Sequence, residues 1–180
     1  SWEILGKAAE LAGVVGGPVV ALVAGHNVGE VAREAVAYGA DQVLLVDAPE
    51  YAHYHAGALA AAFVAAIDAC RPQIILAPAI VGARDVAALA AAARQIGMAA
   101  DVQSIELGPD GKLVADRPVF SGNILTTVTF RGPVQMATVR SRSYGAPASQ
   151  PGRSGEIVPL QVALNDVVQA EEIIGFEGVV

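Results

Sequence analysis

Short apolar runs alternate with helical patterns of apolar residues through the first hundred positions of the chain. The runs lie at residues 19–25, 42–46 and 73–77, and each is continuous rather than alternating, as in strands covered on both faces. Apolar residues at helical spacing predict helices at residues 1–13, 28–38, 56–70 and 82–96. Asn27 stands where the second of these helices needs a cap. This order predicts right-handed crossovers and a parallel sheet between helical layers.

The hydrophobic period changes near residue 100. Strand-prone segments at residues 102–107, 113–117, 124–130 and 135–139 follow one another, with turn sequences around Pro109 and Pro133. They predict an antiparallel return layer after the parallel strands. The expected fold class is therefore α/β, with three layers, a mostly parallel sheet and a C-terminal antiparallel return layer.

The end of the chain differs in composition from what precedes it. Residues 141–155 are rich in Gly, Pro and Ser, which predicts a surface connection. Residues 156–180 carry carboxylates and no basic side chain, with short strands expected near 157–158 and 173–176. We therefore expect a domain at residues 1–143, followed at 144–180 by a linker and an acidic C-terminal segment.

Charge and composition narrow the classes of function. With 11 basic and 18 acidic side chains the formal charge is −7, which argues against a nucleic-acid partner. At 54% hydrophobic and 16% charged residues, the chain is too apolar for disorder. Its longest uncharged run, residues 11–29, is broken by Pro18 and several glycines, so no membrane insertion is expected. No secretory signal is visible, and a lone cysteine, Cys70, fits a reducing compartment: the cytoplasm or, after import, the mitochondrial matrix.

The carboxyl ends of the predicted parallel strands are the usual ligand sites of such a fold. Here they offer His26 and Asn27, then Asp47, then the loop at residues 78–84. No glycine-rich phosphate signature runs through them, and Asp85 would repel a phosphate at the start of its helix. Nucleotide binding is therefore the weaker interpretation of this edge, and strand ends without a bound phosphate are the stronger one.

Other reactive side chains have ordinary structural explanations beside the chemical ones. His53 and His55 would need further ligands to bind a metal, and a solvated loop explains them as well. Cys70 is more easily a small buried residue than a nucleophile, and Ser121 lacks a nucleophile-elbow sequence. We therefore expect no catalytic residue and no metal site.

Basic side chains collect in the predicted return layer and just after it. They are Arg117, Arg131, Arg140 and Arg142. These arginines can meet a carboxylate-rich partner surface, or pair with the acidic C-terminal segment of the same chain. Both alternatives stay open at the level of the sequence.

Five segments in this order resemble a known family. They lie at residues 75–79, 82–85, 97–102, 117–123 and 136–140 and read ILAPA, GARD, GMAADV, RPVFSGN and MATVR. Together they resemble the N-terminal domain of the electron-transfer flavoprotein alpha subunit. The most specific element is Arg-Pro-x-aromatic-x-Gly-Asn, followed by a strand and Thr-Val-Arg. The resemblance covers nearly the whole chain.

The resemblance implies a Rossmann-like domain of the adenine-nucleotide alpha-hydrolase-like type, in a heterodimer with a beta subunit. In that family FAD is held mainly by a C-terminal domain of the alpha subunit, which would follow residue 180, and AMP can be bound in the beta subunit. No FAD ligand is therefore expected among these residues. The family also has a strand before the first helix, which this chain lacks, so the chain is either a fragment or a natural short relative.

The function implied by the resemblance is that of a structural and partner-docking domain. It would support FAD-mediated electron transfer from flavin dehydrogenases without a catalytic site of its own. The expected interface residues are Arg117, Asn123, Arg140 and Arg142. The alternative is a stand-alone adenine-nucleotide-binding module of the same fold, and an enzyme ranks last because the necessary loops are missing.

Overall fold

A computed structural model describes residues 2–164 and Gly175. Its helices are α1 (Trp2–Val15), α2 (Gly29–Ala37), α3 (Ala56–Cys70) and α4 (Val81–Arg94), and a 3-10 turn spans Pro49–Tyr51. All four match helices predicted from apolar spacing, with ends that differ by a few residues. None of the described helices is long and apolar enough to cross a membrane.

Nine strands form three sheets in the described part of the chain. They are β1 (Val20–Gly25), β2 (Gln42–Asp47), β3 (Ile74–Pro78), β4 (Gly97–Val102), β5 (Ser104–Leu107), β6 (Leu113–Val119), β7 (Ile124–Thr129), β8 (Gln135–Val139) and β9 (Glu156–Pro159). Two sheets are parallel, in the orders β1-β2-β9 and β3-β8-β4, and the third is antiparallel, in the order β5-β6-β7. The expected fold class, α/β with parallel strands and an antiparallel layer, is confirmed.

Two predictions for individual strands were wrong. The segment at 135–139 was expected in the antiparallel layer, yet β8 pairs parallel to both β3 and β4 in the middle of their sheet. Its residues are all buried, and a short buried strand carries no alternation that would reveal its direction. The single strand expected at 102–107 is two strands, because β4 already begins at Gly97 and β5 begins at Ser104.

Alanine dominates the contact between the helices and the sheet. Ala87, Ala90 and Ala91 of α4 pack with Met136 of β8 in one buried cluster. A side chain as small as Ala lets a helix approach a strand closely, and Met fills the irregular space that remains. The alanine-rich helices therefore follow from layer packing.

An apolar cleft of about 850 Å³ opens beside the two parallel sheets. Consecutive residues of both β1 and β3 line it, with α1 and α3 contributing further apolar side chains. Among the described residues, β1 and β3 are edge strands of their sheets. Two strand edges thus face one apolar space, a geometry that accepts an added strand.

The segment after β8 returns to the sheet. Its strand β9 pairs parallel with β2, which matches the strand expected near 157–158. Beyond it, Leu160, Val162 and Leu164 pack against the cluster that contains Val46. The strand expected at 173–176 lies outside the described residues, apart from Gly175. The domain boundary after residue 143 stays a prediction.

Candidate functional site

The loop after β1 is held by a carboxylate from the neighbouring strand. Asp47 accepts hydrogen bonds from the backbone N–H of Asn27 at 2.6 Å and of Val28 at 3.1 Å. The prediction that Asn27 caps the second helix was wrong. Asn27 has φ of +58°, and Val28 stands at the cap without a side-chain hydrogen bond. A carboxylate 20 positions away along the chain thus occupies the start of α2, where the helix dipole favours a negative charge.

An aromatic ring covers the start of α4. A Cβ on Gly82 would lie 2.7 Å from Cε2 of Tyr54, so only glycine lets the ring settle there. The Tyr54 hydroxyl lies 3.4 Å from the Gly82 carbonyl oxygen and 3.5 Å from the Asp85 carboxylate. The starts of α2 and α4 therefore both carry a carboxylate nearby, which would repel a phosphate.

The remaining candidate groups take structural roles. His55 accepts a hydrogen bond from Ala58 N through Nδ1 at 3.1 Å, and so caps α3. Among the described residues no group of three or more His, Cys, Asp or Glu side chains is placed to hold a metal. The Cys70 thiol donates to the Ala66 carbonyl at 2.9 Å, and burial raises its pKa, which keeps it protonated. Ser121 is exposed in the turn between β6 and β7.

An arginine group forms where β3, β4 and β8 end. Arg140 donates to Asp101 from Nε at 3.1 Å and from Nη2 at 2.6 Å, a bidentate pair. These hydrogen bonds lower the pKa of the Asp101 carboxyl most, and the charges of Arg84 and Arg117 lower it further. We call Arg84, Arg117 and Arg140 the arginine group.

Asp101 is fixed in place by the backbone. It has φ of +57°, a left-handed conformation, at the register shift between Ala99 and Val102 of β4. Its N–H donates to Thr138 Oγ1 at 2.9 Å, and Thr138 is fully buried in β8. The carboxylate therefore stands at a defined position for Arg140.

The turn between β6 and β7 presents apolar side chains to solvent. Phe120 is 75% exposed, Leu125 62% and Ile124 50%. Asn123 holds the turn, because its Nδ2 donates to the Phe120 carbonyl at 2.9 Å. We call Phe120, Ile124 and Leu125 the apolar tip. Large side chains exposed together on a rigid turn are typical of interaction surfaces.

The four expected interface residues do not all lie together. Arg117 and Arg140 join the arginine group, whereas Asn123 belongs to the turn at the apolar tip. Arg142 follows Arg140 by two positions, and its backbone N–H donates to Glu3 of α1 at 2.9 Å. Sequence reasoning missed Arg84 and Asp101 as members of the group, since strand pairing alone brings them close. Arg140 pairs within the chain with Asp101, whereas most carboxylates of the acidic segment lie outside the described residues.

The fold is that of a Rossmann-like α/β domain, and it carries the arginine group and the apolar tip. The chain belongs to the electron transfer flavoprotein family, since the family model described as "Electron transfer flavoprotein domain" matches residues 1–165. The resemblance stated from the sequence is thereby confirmed.

Curated relatives agree with this assignment. The subunit LctC of the lactate dehydrogenase (NAD(+),ferredoxin) of Acetobacterium woodii is 34% identical over 96% of this chain and 42% of its own length. Protein FixB of Rhizobium meliloti is 32% identical over 98% of this chain and 51% of its own. The electron transfer flavoprotein subunit alpha of Thermoanaerobacterium thermosaccharolyticum is 31% identical over 91% and 50%. The chain thus spans about half the length of these relatives. Its similarity to them supports an alpha-type role in electron transfer.

Proposed function

We propose that this chain is the structural and partner-docking domain of an electron-transfer flavoprotein alpha subunit. It binds a beta subunit and supports electron transfer from flavin dehydrogenases through FAD. The domain contributes binding and orientation, while the redox chemistry belongs to the cofactor. In this role the chain is an electron-carrier subunit without a catalytic site of its own. The relatives named above are bacterial, which favours the cytoplasm as its location.

The observation that carries this proposal is the exposed apolar tip. Apolar side chains exposed on a tight turn gain little in the free domain, and burial against a partner stabilises them by about 25 cal/mol per Å². Arg117 lies on β6, the strand that leads into this turn, three positions before Phe120. Aromatic side chains and arginine together are the residues most enriched at binding hot spots.

We assign FAD to a part of the alpha subunit other than this domain, and AMP to the beta subunit. The reason is local: a phosphate at the start of α2 would meet the Asp47 carboxylate, and at the start of α4 it would meet Tyr54 and Asp85. The same geometry disfavours the alternative of an adenine-nucleotide module. Calorimetric titration with AMP and ATP separates the two, and docking alone predicts no heat of binding.

The docking role is tested by measuring the affinity of this chain for the cognate beta subunit. Phe120→Ala and Leu125→Ala each truncate the apolar tip and should weaken binding by about tenfold or more. Val14→Ala is the matched control, since Val14 is 73% exposed on α1, and its affinity should equal that of the unchanged chain. Equal affinities for all three variants, or no binding by the unchanged chain, would overturn the proposal.

A further inference from the structure

The positive charge of the arginine group exceeds the negative charge of the carboxylates that pair with it. Asp101 is hydrogen bonded to Arg140. Backbone hydrogen bonds from Ala79 to Val139 and from Gln103 to Asp116, both 2.8 Å long, bring the segments that carry Arg84 and Arg117 to the same strand ends. The charges of these two arginines also lower the pKa of Asp101. Asp85, which follows Arg84 in sequence, lies beside the Tyr54 hydroxyl instead. Asp116, next to Arg117, accepts from Ser104 and Thr127. A chain with a net charge of −7 therefore leaves a local positive excess here.

Arg117 has an unsatisfied donor. Its Nε is buried, and among the described residues it has no hydrogen-bond acceptor. A buried donor without an acceptor is uncommon in proteins, because leaving it unpaired costs free energy. A partner's acceptor satisfies it when the Arg117 side chain turns outward on binding.

Arg84 occupies an unfavourable position for a cation. It lies in the first turn of α4, where the cap residue Ile80 makes no side-chain hydrogen bond and the nearby carboxylate, Asp85, lies beside the Tyr54 hydroxyl. The positive end of a helix dipole repels a guanidinium. An incoming anion relieves this repulsion and meets Arg117 and Arg140 as well.

Exposed apolar side chains lie close in sequence to two of the arginines, Arg84 and Arg117. Val81 is 76% exposed and Ile80 54% at the start of α4, and Phe120 is 75% exposed at the end of β6. A partner that covers these side chains also covers the arginines next to them in sequence and excludes water from them. Hydrogen bonds between charged groups strengthen when water is excluded.

We propose that Arg84, Arg117 and Arg140 bind a carboxylate side chain of the partner subunit, with Asp101 orienting Arg140 and with Ile80, Val81 and Phe120 as an apolar rim. This inference rests on the proposed docking role. We commit to a carboxylate because it is the anion that an unmodified protein surface supplies. Arginine also matches a carboxylate with two parallel hydrogen bonds.

The test is the dissociation constant of the complex with the cognate beta subunit, measured at low and high salt. Arg84→Gln and Arg117→Gln should each weaken binding by about tenfold and reduce its salt dependence. Arg84→Lys keeps the charge but loses the planar fork, and should fall between. The matched control is Arg33→Gln, since Arg33 is exposed on α2 and pairs with Glu30, and its affinity should be unchanged. Thermal unfolding of each variant checks that the fold is kept.

The outcomes separate this inference from the docking role itself. If the unchanged chain does not bind the beta subunit, both fall. If it binds and Arg84→Gln and Arg117→Gln bind equally well, the docking role stands and the carboxylate site is overturned. Binding of AMP that Arg84→Gln abolishes would assign the group to a phosphate instead. If removal of residues 165–180 raises the affinity severalfold and the arginine variants lose that gain, the occupant is the acidic segment of this chain, which also overturns the inference.

Discussion

Two strands of similar length, β7 and β8, show how position decides burial in this domain. The more strand-prone sequence, Ile-Leu-Thr-Thr-Val-Thr of β7, is almost entirely exposed. The mixed sequence Gln-Met-Ala-Thr-Val of β8 is entirely buried. The strand β8 has partners on both sides, whereas β7 pairs only with β6 among the described residues. The exposed apolar side chains of β7 are therefore consistent with the docking role proposed above.

Two buried polar side chains of β8 join this strand to β6 of the antiparallel layer and to β4 of its own sheet. The Gln135 carboxamide oxygen accepts from the Leu113 N–H of β6 at 2.6 Å, and Thr138 accepts from Asp101 of β4. Both side chains are at most 1% exposed. Buried polar groups with full hydrogen bonding fix one arrangement of their neighbours. The Gln135 bond thus fastens the antiparallel layer to the parallel sheet, and the Thr138 bond fixes β4 beside β8 within the parallel sheet.

The largest expected difference between the regions is in stability. Met136→Ala in β8 removes a side chain with 0% exposure and should lower the free energy of unfolding by about 2–5 kcal/mol. Leu125→Ala in β7 should change it by less than about 0.5 kcal/mol, because Leu125 is 62% exposed. Chemical denaturation measures both. Equal losses would mean that β7 is covered within the free domain, contrary to the comparison.

An intermediate effect is expected at the junction. Gln135→Leu keeps a side chain of similar volume in the core but leaves the buried Leu113 N–H without its acceptor. The free energy of unfolding should fall by about 1–3 kcal/mol. Thr127→Val is the control, because it removes an exposed hydrogen bond to Asp116 and should cost less than about 0.5 kcal/mol. Hydrogen exchange at Leu113 should rise in Gln135→Leu. Unchanged exchange there would show that the bond does not hold the two layers together.

The sequence predicted the local elements better than their arrangement. Apolar spacing located all four helices, and continuous runs located β1 to β3. It failed at β8 because a short buried strand in a parallel sheet has no alternating pattern. It also failed at Asn27, since the cap-like group comes from Asp47 on another strand. Both errors concern contacts between distant segments, which local propensity does not encode.

The candidate site was predicted in part. Arg117 and Arg140 were expected at an interface, and the structure places both near Asp101. Arg84 was considered only for nucleotide binding, because its distance in sequence from Arg140 hides the contact between strand ends. A parallel sheet that brings the ends of β3, β4 and β8 together is the one signal that could have joined them.

The smallest expected effect concerns pH and the Asp101 carboxylate at the junction. Hydrogen bonds from Arg140 hold the pKa of Asp101 below its usual range, so its contribution to stability is present above about pH 4. That contribution is lost as the pH falls through the lower pKa of the folded state. Asp101→Asn removes it without strain, since Asn also adopts positive φ. The pair is partly exposed, at 44% for Arg140 and 30% for Asp101, so the effect is modest.

Urea unfolding from pH 7 to pH 2 measures this contribution. The unchanged chain should be more stable than Asp101→Asn at pH 7, and the two should converge near the acid end. Glu106→Gln, which alters an exposed carboxylate of β5, should follow the unchanged chain more closely at every pH. A difference that stays constant with pH would show that Asp101 acts through its shape at the register shift rather than through its charge. The junction would then be a backbone feature, and the arginine group would need no carboxylate to position it.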